Sequence, residues 1–139
     1  MPQDNIEVAK AAHRAMQARD LEALLELCCE DIEWRQDPRF VEPGTFRGHE
    51  GVLKLHESLY ETFEDFDLAP ERYMTAGDKV VVFLHISASG QGSGIAVDND
   101  VANVLTFRDG KIAVLEIYLD RSEAAEDAGL SEQDVRADS

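Results

Sequence analysis

A chain of 139 residues that is 44% hydrophobic and 30% charged has the length and composition of a single globular domain. Its formal net charge of −16, from 29 acidic and 13 basic residues, makes nucleic acid and anionic membranes poor partners, because phosphate binding needs clustered Lys and Arg. The longest apolar run, residues 80–84, is far below the roughly 20 residues that span a bilayer. The N-terminus lacks the apolar stretch of a secretory signal, and two adjacent cysteines make no disulfide framework, so we expect a soluble cytoplasmic protein.

Helical patterning dominates the start of the chain. Residues 5–18 carry apolar side chains at the spacing of one helix face, and His13 lies on that stripe. Asp20 is a suitable N-cap for a second helix, whose apolar stripe continues to Cys28. Neighbouring residues of a helix point in different directions, so we expect one core thiol and one partly exposed thiol at Cys28 and Cys29.

A strand and a third helix follow. Residues 31–36 alternate, with Trp34 and Gln36 on the same face, as in a half-buried strand. The stretch 37–48 is rich in Pro and Gly and predicts a loop. Apolar residues at helical spacing then predict a helix over 49–64.

The second half of the chain is predicted to form strands. They are predicted at 67–76, 79–89, 95–108 and 111–119. Gly77-Asp78 and Asp109-Gly110 mark tight turns, the second being a strong hairpin signal, and residues 90–94 form the remaining connection. Helices followed by antiparallel strands predict an α+β fold.

The C-terminal end is predicted to be a short helix and a tail. Residues 121–128 form the helix, Asp120 is its N-cap and Gly129 ends it. The domain therefore covers residues 1–130, and residues 131–139 are expected to be flexible.

Alternation predicts which strand residues face the core. In 95–108 the odd positions are mostly apolar, so Asn103 lies on the buried face between Val101 and Leu105. Odd positions are again apolar in 111–119. The strand 79–89 is apolar on both faces, which in an antiparallel sheet suggests that its second face packs on another subunit.

The order of elements resembles the nuclear-transport-factor-2-like superfamily, and most closely its SnoaL-like, polyketide cyclase-like branch. The resemblance covers about residues 5–130. The segments that carry it are Glu-Asp-Ile-Glu-Trp at 30–34, Arg-Gly-His-Glu-Gly-Val at 47–52, Gly-Ser-Gly at 92–94, Phe-Arg-Asp-Gly-Lys-Ile at 107–112 and the stretch 118–130. It implies a cone-shaped, curved antiparallel sheet covered by three N-terminal helices, with a small-molecule pocket inside and a homodimer formed through the outer sheet face. The fold alone does not specify a reaction.

The acids and bases that family enzymes use are replaced in this chain. The position of the ketosteroid isomerase base corresponds to Gln36, and that of its oxyanion-donating acid corresponds to Asn103. The tyrosine position corresponds to Ala12, and the aspartate that cyclases and limonene epoxide hydrolases place on the last strand corresponds to Ile117. The Arg-x-Asp pair of the hydrolases falls on Phe83 and His85. Because amides do not take up a proton as carboxylates do, the usual isomerase chemistry is not expected.

We therefore expect a small, largely apolar organic ligand, bound without cofactor or metal. The sequence offers three candidate catalytic residues. His85 would be the acid–base, and Asn103 and Gln36 would orient the polar atom of the ligand. The candidate ligand-binding residues are Trp34, His13, Met16, Leu59, Phe63, Phe83, Val101, Ile117 and Leu119. The reaction would be an isomerisation, cyclisation, hydration or epoxide hydrolysis.

Each of these residues also has a structural interpretation. His13 suits a hydrogen-bonded core histidine, and Asn103 suits structural hydrogen bonding as well as ligand contact. His49 and His56 are seven residues apart on one helix, about 10 Å along its axis, which is too far to share a metal ion. The alternative function is a non-catalytic ligand-binding or dimeric association module.

Overall fold

The computed structural model describes residues 2–39, 44–90 and 96–130. In these ranges the elements are α1 (Pro2–Gln17), α2 (Leu21–Glu26), β1 (Cys28–Gln36), β2 (Gly44–Arg47), α3 (Gly48–Thr62), β3 (Phe63–Ala76), β4 (Lys79–Gly90), β5 (Ala96–Arg108), β6 (Lys111–Tyr118) and α4 (Arg121–Asp127). None of the described helices is long and apolar enough to cross a membrane.

One curved sheet organises the molecule. Its six described strands lie in the order β2-β1-β6-β5-β4-β3. Strands β3 to β6 form an antiparallel meander, β2 pairs antiparallel with β1, and β1 joins β6 in parallel. The α+β fold predicted from the sequence is confirmed.

The predicted turns and caps explain where several elements begin and end. Asp109 and Gly110 both have positive φ, 54° and 79°, which is the backbone of a two-residue hairpin turn between β5 and β6. The Asp20 carboxylate accepts from the Ala23 amide at 3.1 Å and caps α2. The Asp120 carboxylate accepts from the first amides of α4, at 2.8 and 3.2 Å.

Helices α1 and α3 cover one face of the sheet, which we call the inner face. Small residues of α1, Ala9 and Ala12, are fully buried, so this helix lies close to the strands. The α3 side chains Val52, Leu55 and Leu59 are buried at helical spacing. Inner-face strand residues complete the core: Ile32, Trp34, Leu68, Val80, Val82, Leu84, Ile86, Val101, Leu105, Ile112, Leu115 and Ile117.

The opposite, outer face carries a second apolar cluster. Its buried members are Met74, Val81, Phe83, Ala102, Val104 and, from α4, Ala124. The same chain therefore covers the outer side of β4 with α4. The doubly apolar pattern of this strand is explained within one subunit, and does not by itself require a second one.

Three element boundaries differ from the prediction. Cys28 and Cys29 lie in β1, not in a helix, and both are buried because a strand sends them to opposite sides. The segment Gly44–Arg47 forms a short, mostly exposed edge strand inside the predicted loop. Phe63 begins β3 and does not belong to the third helix. The prediction placed it in the helix because its apolar side chain continues the helical stripe, and such a stripe does not show where the backbone changes.

A bulge explains one departure from strict alternation. The register between β5 and β6 shifts between Thr106 and Phe107, so that Ile112 turns into the core. Beyond the bulge the predicted alternation holds, with Leu115 and Ile117 buried on the inner face. The motif at 92–94, most of the predicted 90–94 connection and the predicted tail at 131–139 lie outside the described residues.

Candidate ligand pocket

A small cavity lies between the inner face of the sheet and the helices. It is lined by Met16, Trp34, Gln36, His56, Leu59, Phe66, Leu68, Leu84, Ile86, Asn103 and Ile117. The cavity measures about 30 Å³, which is room for about two water molecules. This described lining contains hydrophobic, amide and imidazole side chains, and none of its members is Asp, Glu, Lys or Arg.

Asn103 is the polar group at the sheet side of the cavity, and His13 holds it. The Asn103 side chain is only 4% exposed, and its Oδ1 lies 3.0 Å from Nε2 of His13. Nδ1 of His13 lies 2.9 Å from the Ala9 carbonyl and 3.2 Å from the Tyr73 hydroxyl. Helix α1 and strand β3 thus fix the imidazole that orients the amide.

The protonation of His13 leaves one end of this amide available. Burial lowers the pKa of His13, so the neutral ring carries one N–H. If that N–H is on Nε2, it donates to Asn103 Oδ1 and the Asn103 NH₂ group is left over. If the N–H is on Nδ1, it donates to the Ala9 carbonyl. The Asn103 amide is then turned over, so that its NH₂ group donates to Nε2 and its Oδ1 has no bond to His13. In both arrangements one end of the amide is held by His13, and the other end can serve a ligand.

Trp34 and Gln36 form the second polar pair of the lining. The Trp34 indole N–H donates to Gln36 Oε1 at 2.9 Å, and both side chains are buried on the inner face of β1. The predicted alternation of this strand is therefore observed. Because the indole uses the Gln36 oxygen, the Gln36 NH₂ group remains as a donor.

His56 is a lining residue that the sequence argument considered only as a metal ligand. Its Nδ1–H donates to the Val52 carbonyl of its own helix at 2.9 Å. The ring packs edge-on against Trp34, with centroids 4.9 Å apart and planes at 89°. The signal in the sequence was its spacing from Val52 and Leu59, which places it on the buried stripe of α3.

An open groove adjoins the cavity at the ends of β1 and β6. It measures about 490 Å³ and shares Gln36 and Ile117 with the cavity. Apart from Pro38, its remaining lining residues are polar or charged: Arg35, Asp37, Arg39, Glu116, Tyr118 and Glu123. Asp37 ties the two strand ends together, accepting from Arg39 and from the Leu119 amide at 3.1 Å. The Arg39 guanidinium holds the pKa of the Asp37 carboxyl well below its usual range.

His85, the candidate acid–base, does not face this cavity. It lies on the outer face, where its Nδ1 is 2.7 Å from Asp100 and its Nε2 contacts Asp98. Hydrogen bonding to Asp100 and Asp98 raises its pKa. Phe83, two residues earlier and therefore on the same face, packs in the outer cluster beneath the Arg121 guanidinium.

The other predicted pocket residues fall into two groups. Met16, Trp34, Leu59, Ile117, Gln36 and Asn103 line the cavity. His13 stands behind Asn103, and Phe63, Val101 and Leu119 belong to the surrounding core without lining the cavity. Besides His56, the prediction missed Phe66, Leu68, Leu84 and Ile86, although Leu84 and Ile86 share the alternation of Val82. Across the described ranges, no cluster of three or more His, Cys, Asp or Glu is arranged to hold a metal ion.

Comparison with known proteins assigns the family. The model of the family described as SnoaL-like domain matches residues 9–115, more than half of the chain. This chain belongs to the SnoaL-like domain family. A search of curated proteins finds no match.

Solved structures agree with the assignment of this SnoaL-like domain. TerC, co-crystallised with polyporic acid, is 28% identical, with a TM-score of 0.74 over 88% of this chain and 96% of that chain. A putative SnoaL-like polyketide cyclase from Jannaschia sp. CCS1 is 19% identical, with a TM-score of 0.74 over 92% of each chain. A hypothetical protein of ketosteroid isomerase-like fold from Catenulispora acidiphila, in complex with trimethylamine, is 19% identical, with a TM-score of 0.73 over 90% of this chain and 94% of that chain. The last two likenesses concern the fold alone.

Proposed function

We propose that this SnoaL-like domain binds a small, largely apolar organic molecule between its sheet and helices. The observation that carries the proposal is the buried Asn103 amide, which lines the cavity and is held at one end by His13, while its other end has no partner among the described residues. A buried amide group normally satisfies its hydrogen bonds, because leaving it unpaired away from water is costly. A ligand with one polar atom would pair with it while its apolar part contacts Leu84, Ile86 and Ile117.

The cavity must widen to hold such a molecule. Its present volume of about 30 Å³ is well below the roughly 300 Å³ of ordinary ligand pockets. Met16 has three rotatable side-chain bonds and adapts easily, and Phe66 is only partly buried. The adjoining groove of about 490 Å³ gives displaced side chains or the ligand itself a path past Gln36 and Ile117.

Similarity to TerC supports an organic ligand, since that protein was co-crystallised with polyporic acid. Binding is favoured over acid–base turnover by His85, because that histidine lies on the outer face between two aspartates. Dimerisation through the outer face stays a proposal, although α4 already covers the apolar residues that motivated it. A cytoplasmic location also stays a proposal, which the two free, buried thiols of Cys28 and Cys29 support.

The single tryptophan gives a direct test of ligand binding. Trp34 lines the cavity, so its fluorescence should change on titration with phenol or toluene, single-ring molecules that require less widening of the cavity than a larger ligand. Met16→Phe puts a bulkier, stiffer side chain into the cavity and should weaken binding by about tenfold or more, as expected for a loss of about 1.4 kcal/mol. Circular dichroism checks that the variant is folded.

Met74→Phe is the matched control. It makes the same change at a buried methionine of the outer cluster, away from the cavity, and should leave the titration unchanged. An unaltered Trp34 signal with both probes, or equal weakening by the two methionine variants, would contradict the proposal.

A further inference from the structure

His56 lines the proposed pocket, and among the described residues only one of its two ring nitrogens has a hydrogen-bond partner. Its Nδ1 must carry the proton, since it lies 2.9 Å from the Val52 carbonyl, which can only accept. Within residues 2–39, 44–90 and 96–130, Nε2 has no hydrogen-bond partner.

The ring is neutral at ordinary pH. His56 is only 4% exposed, and burial lowers its pKa. With the proton on Nδ1, Nε2 keeps a lone pair that can only accept. A donor inside the cavity could form a hydrogen bond to this lone pair.

The residues around His56 favour a ligand without a net charge. Among the described lining residues there is no Lys or Arg to pair with an anion and no Asp or Glu to pair with a cation. A charged ligand would lose its hydration without a counter-charge, whereas a neutral hydroxyl can donate to Nε2. The indole of Trp34, set edge-on to His56, offers a flat aromatic surface to the same space.

We infer that His56 makes this pocket selective for neutral, hydroxyl-bearing aromatic molecules of the phenol class. The inference rests on the proposed function and deepens it, because it names the chemical group of the ligand that donates a hydrogen bond in the pocket. The phenolic O–H donates to His56 Nε2, and the ring contacts Trp34 and the apolar strand residues. Benzoate, a comparable aromatic anion, is excluded.

Phenol and toluene test this selectivity, since they differ by a hydroxyl in place of a methyl group. A neutral hydrogen bond to Nε2 should make phenol bind about 3- to 10-fold more tightly than toluene at pH 7. His56→Asn keeps a donor for the Val52 carbonyl but removes the Nε2 acceptor, and should reduce this ratio to about one. His49→Asn, the same change on α3 at a histidine that instead contacts the Cys28 carbonyl, should preserve the ratio.

Nitrogen-15 NMR of the histidine rings gives a second readout. His56 Nε2 should show the shift of an unprotonated nitrogen in the free protein, and should move upfield when phenol, but not toluene, is added. A His56 ring that is protonated on Nε2 would overturn the inference.

The outcomes separate this inference from the proposed function. If both probes bind with equal affinity, or if the preference for phenol survives in His56→Asn, the pocket binds ligands but His56 does not select them. If benzoate binds as tightly as phenol, the argument from charge is wrong. If neither probe binds wild type, the proposed function itself is contradicted.

Discussion

At the scale of single residues, the four histidines differ mainly in what surrounds them. His13 and His56 are buried among apolar groups, which lowers the pKa of each, whereas His85 stands on the surface between two aspartates, which raise its pKa. His49 contacts the Cys28 carbonyl from the start of α3. The buried rings are thus suited to act as neutral hydrogen-bonding groups, and His85 as a charged link between β4 and β5.

We expect His85→Gln to leave phenol binding unchanged, since the ring lies on the outer face. Its raised pKa means that His85 contributes stability below its unfolded pKa of about 6.5, and that this contribution is lost as pH rises through the folded pKa. The variant should therefore melt below wild type at pH 5.5, with a smaller difference at pH 9. Thermal unfolding at the two pH values measures this, and a difference that grows toward pH 9 would contradict the assignment.

Individual polar positions were predictable where strand alternation was regular. Trp34 and Gln36 on β1, and Asn103 on β5, were assigned to the buried face, and they lie there. His85 has the alternation of Val81 and Phe83, but because β4 is apolar on both faces its pattern did not show which side faces the pocket. The partnership of His13 with Asn103, 90 residues away, depends on how α1 crosses the sheet, which no local pattern reveals.

At the scale of elements, Arg121 connects α4 to the sheet by hydrogen bonds. Its guanidinium donates to the Val101 and Leu84 carbonyls at 3.1 and 2.9 Å, and to Glu71 at 2.7 Å. It also lies over the Phe83 ring, 5.0 Å from the centroid. This residue therefore links the last helix to β3, β4 and β5.

Arg121→Met should lower the free energy of unfolding by about 1.5–3 kcal/mol, because it removes charged hydrogen bonds to two strand carbonyls. Arg14→Met, at an exposed position of α1, is the control and should change it by less than about 0.5 kcal/mol. Urea denaturation followed by circular dichroism measures both values. Equal effects of the two substitutions would show that Arg121 does not anchor α4.

Element types were predicted better than their junctions. Long periodic stretches gave α1, α3 and the meander, and the Asp109-Gly110 turn gave its hairpin. The junctions failed where one apolar residue suits both neighbouring elements, as Cys28 does between α2 and β1 and Phe63 does between α3 and β3. Strand β2 is four residues long and mostly exposed, so it carries almost no hydrophobic signal.

At the scale of the whole molecule, charge is distributed unevenly. The chain has a net charge of −16, whereas the described residues that line the cavity include no Asp, Glu, Lys or Arg. The acidic surface serves solubility and disfavours anionic partners, while the cavity lining offers apolar contacts and the buried polar side chains of Gln36, His56 and Asn103. On the outer face, α4 packs on the apolar cluster. These features are consistent with the proposed neutral ligand on the inner face.

The most direct test of this account is an NMR measurement of nuclear Overhauser effects between bound phenol and the methyl groups of the protein. We predict contacts to the methyl groups of Met16, Leu84 and Ile117, which line the cavity. Contacts confined to Val81, Val104 or Met74 on the outer face, or none at any methyl group while phenol is bound, would contradict a ligand site inside the fold.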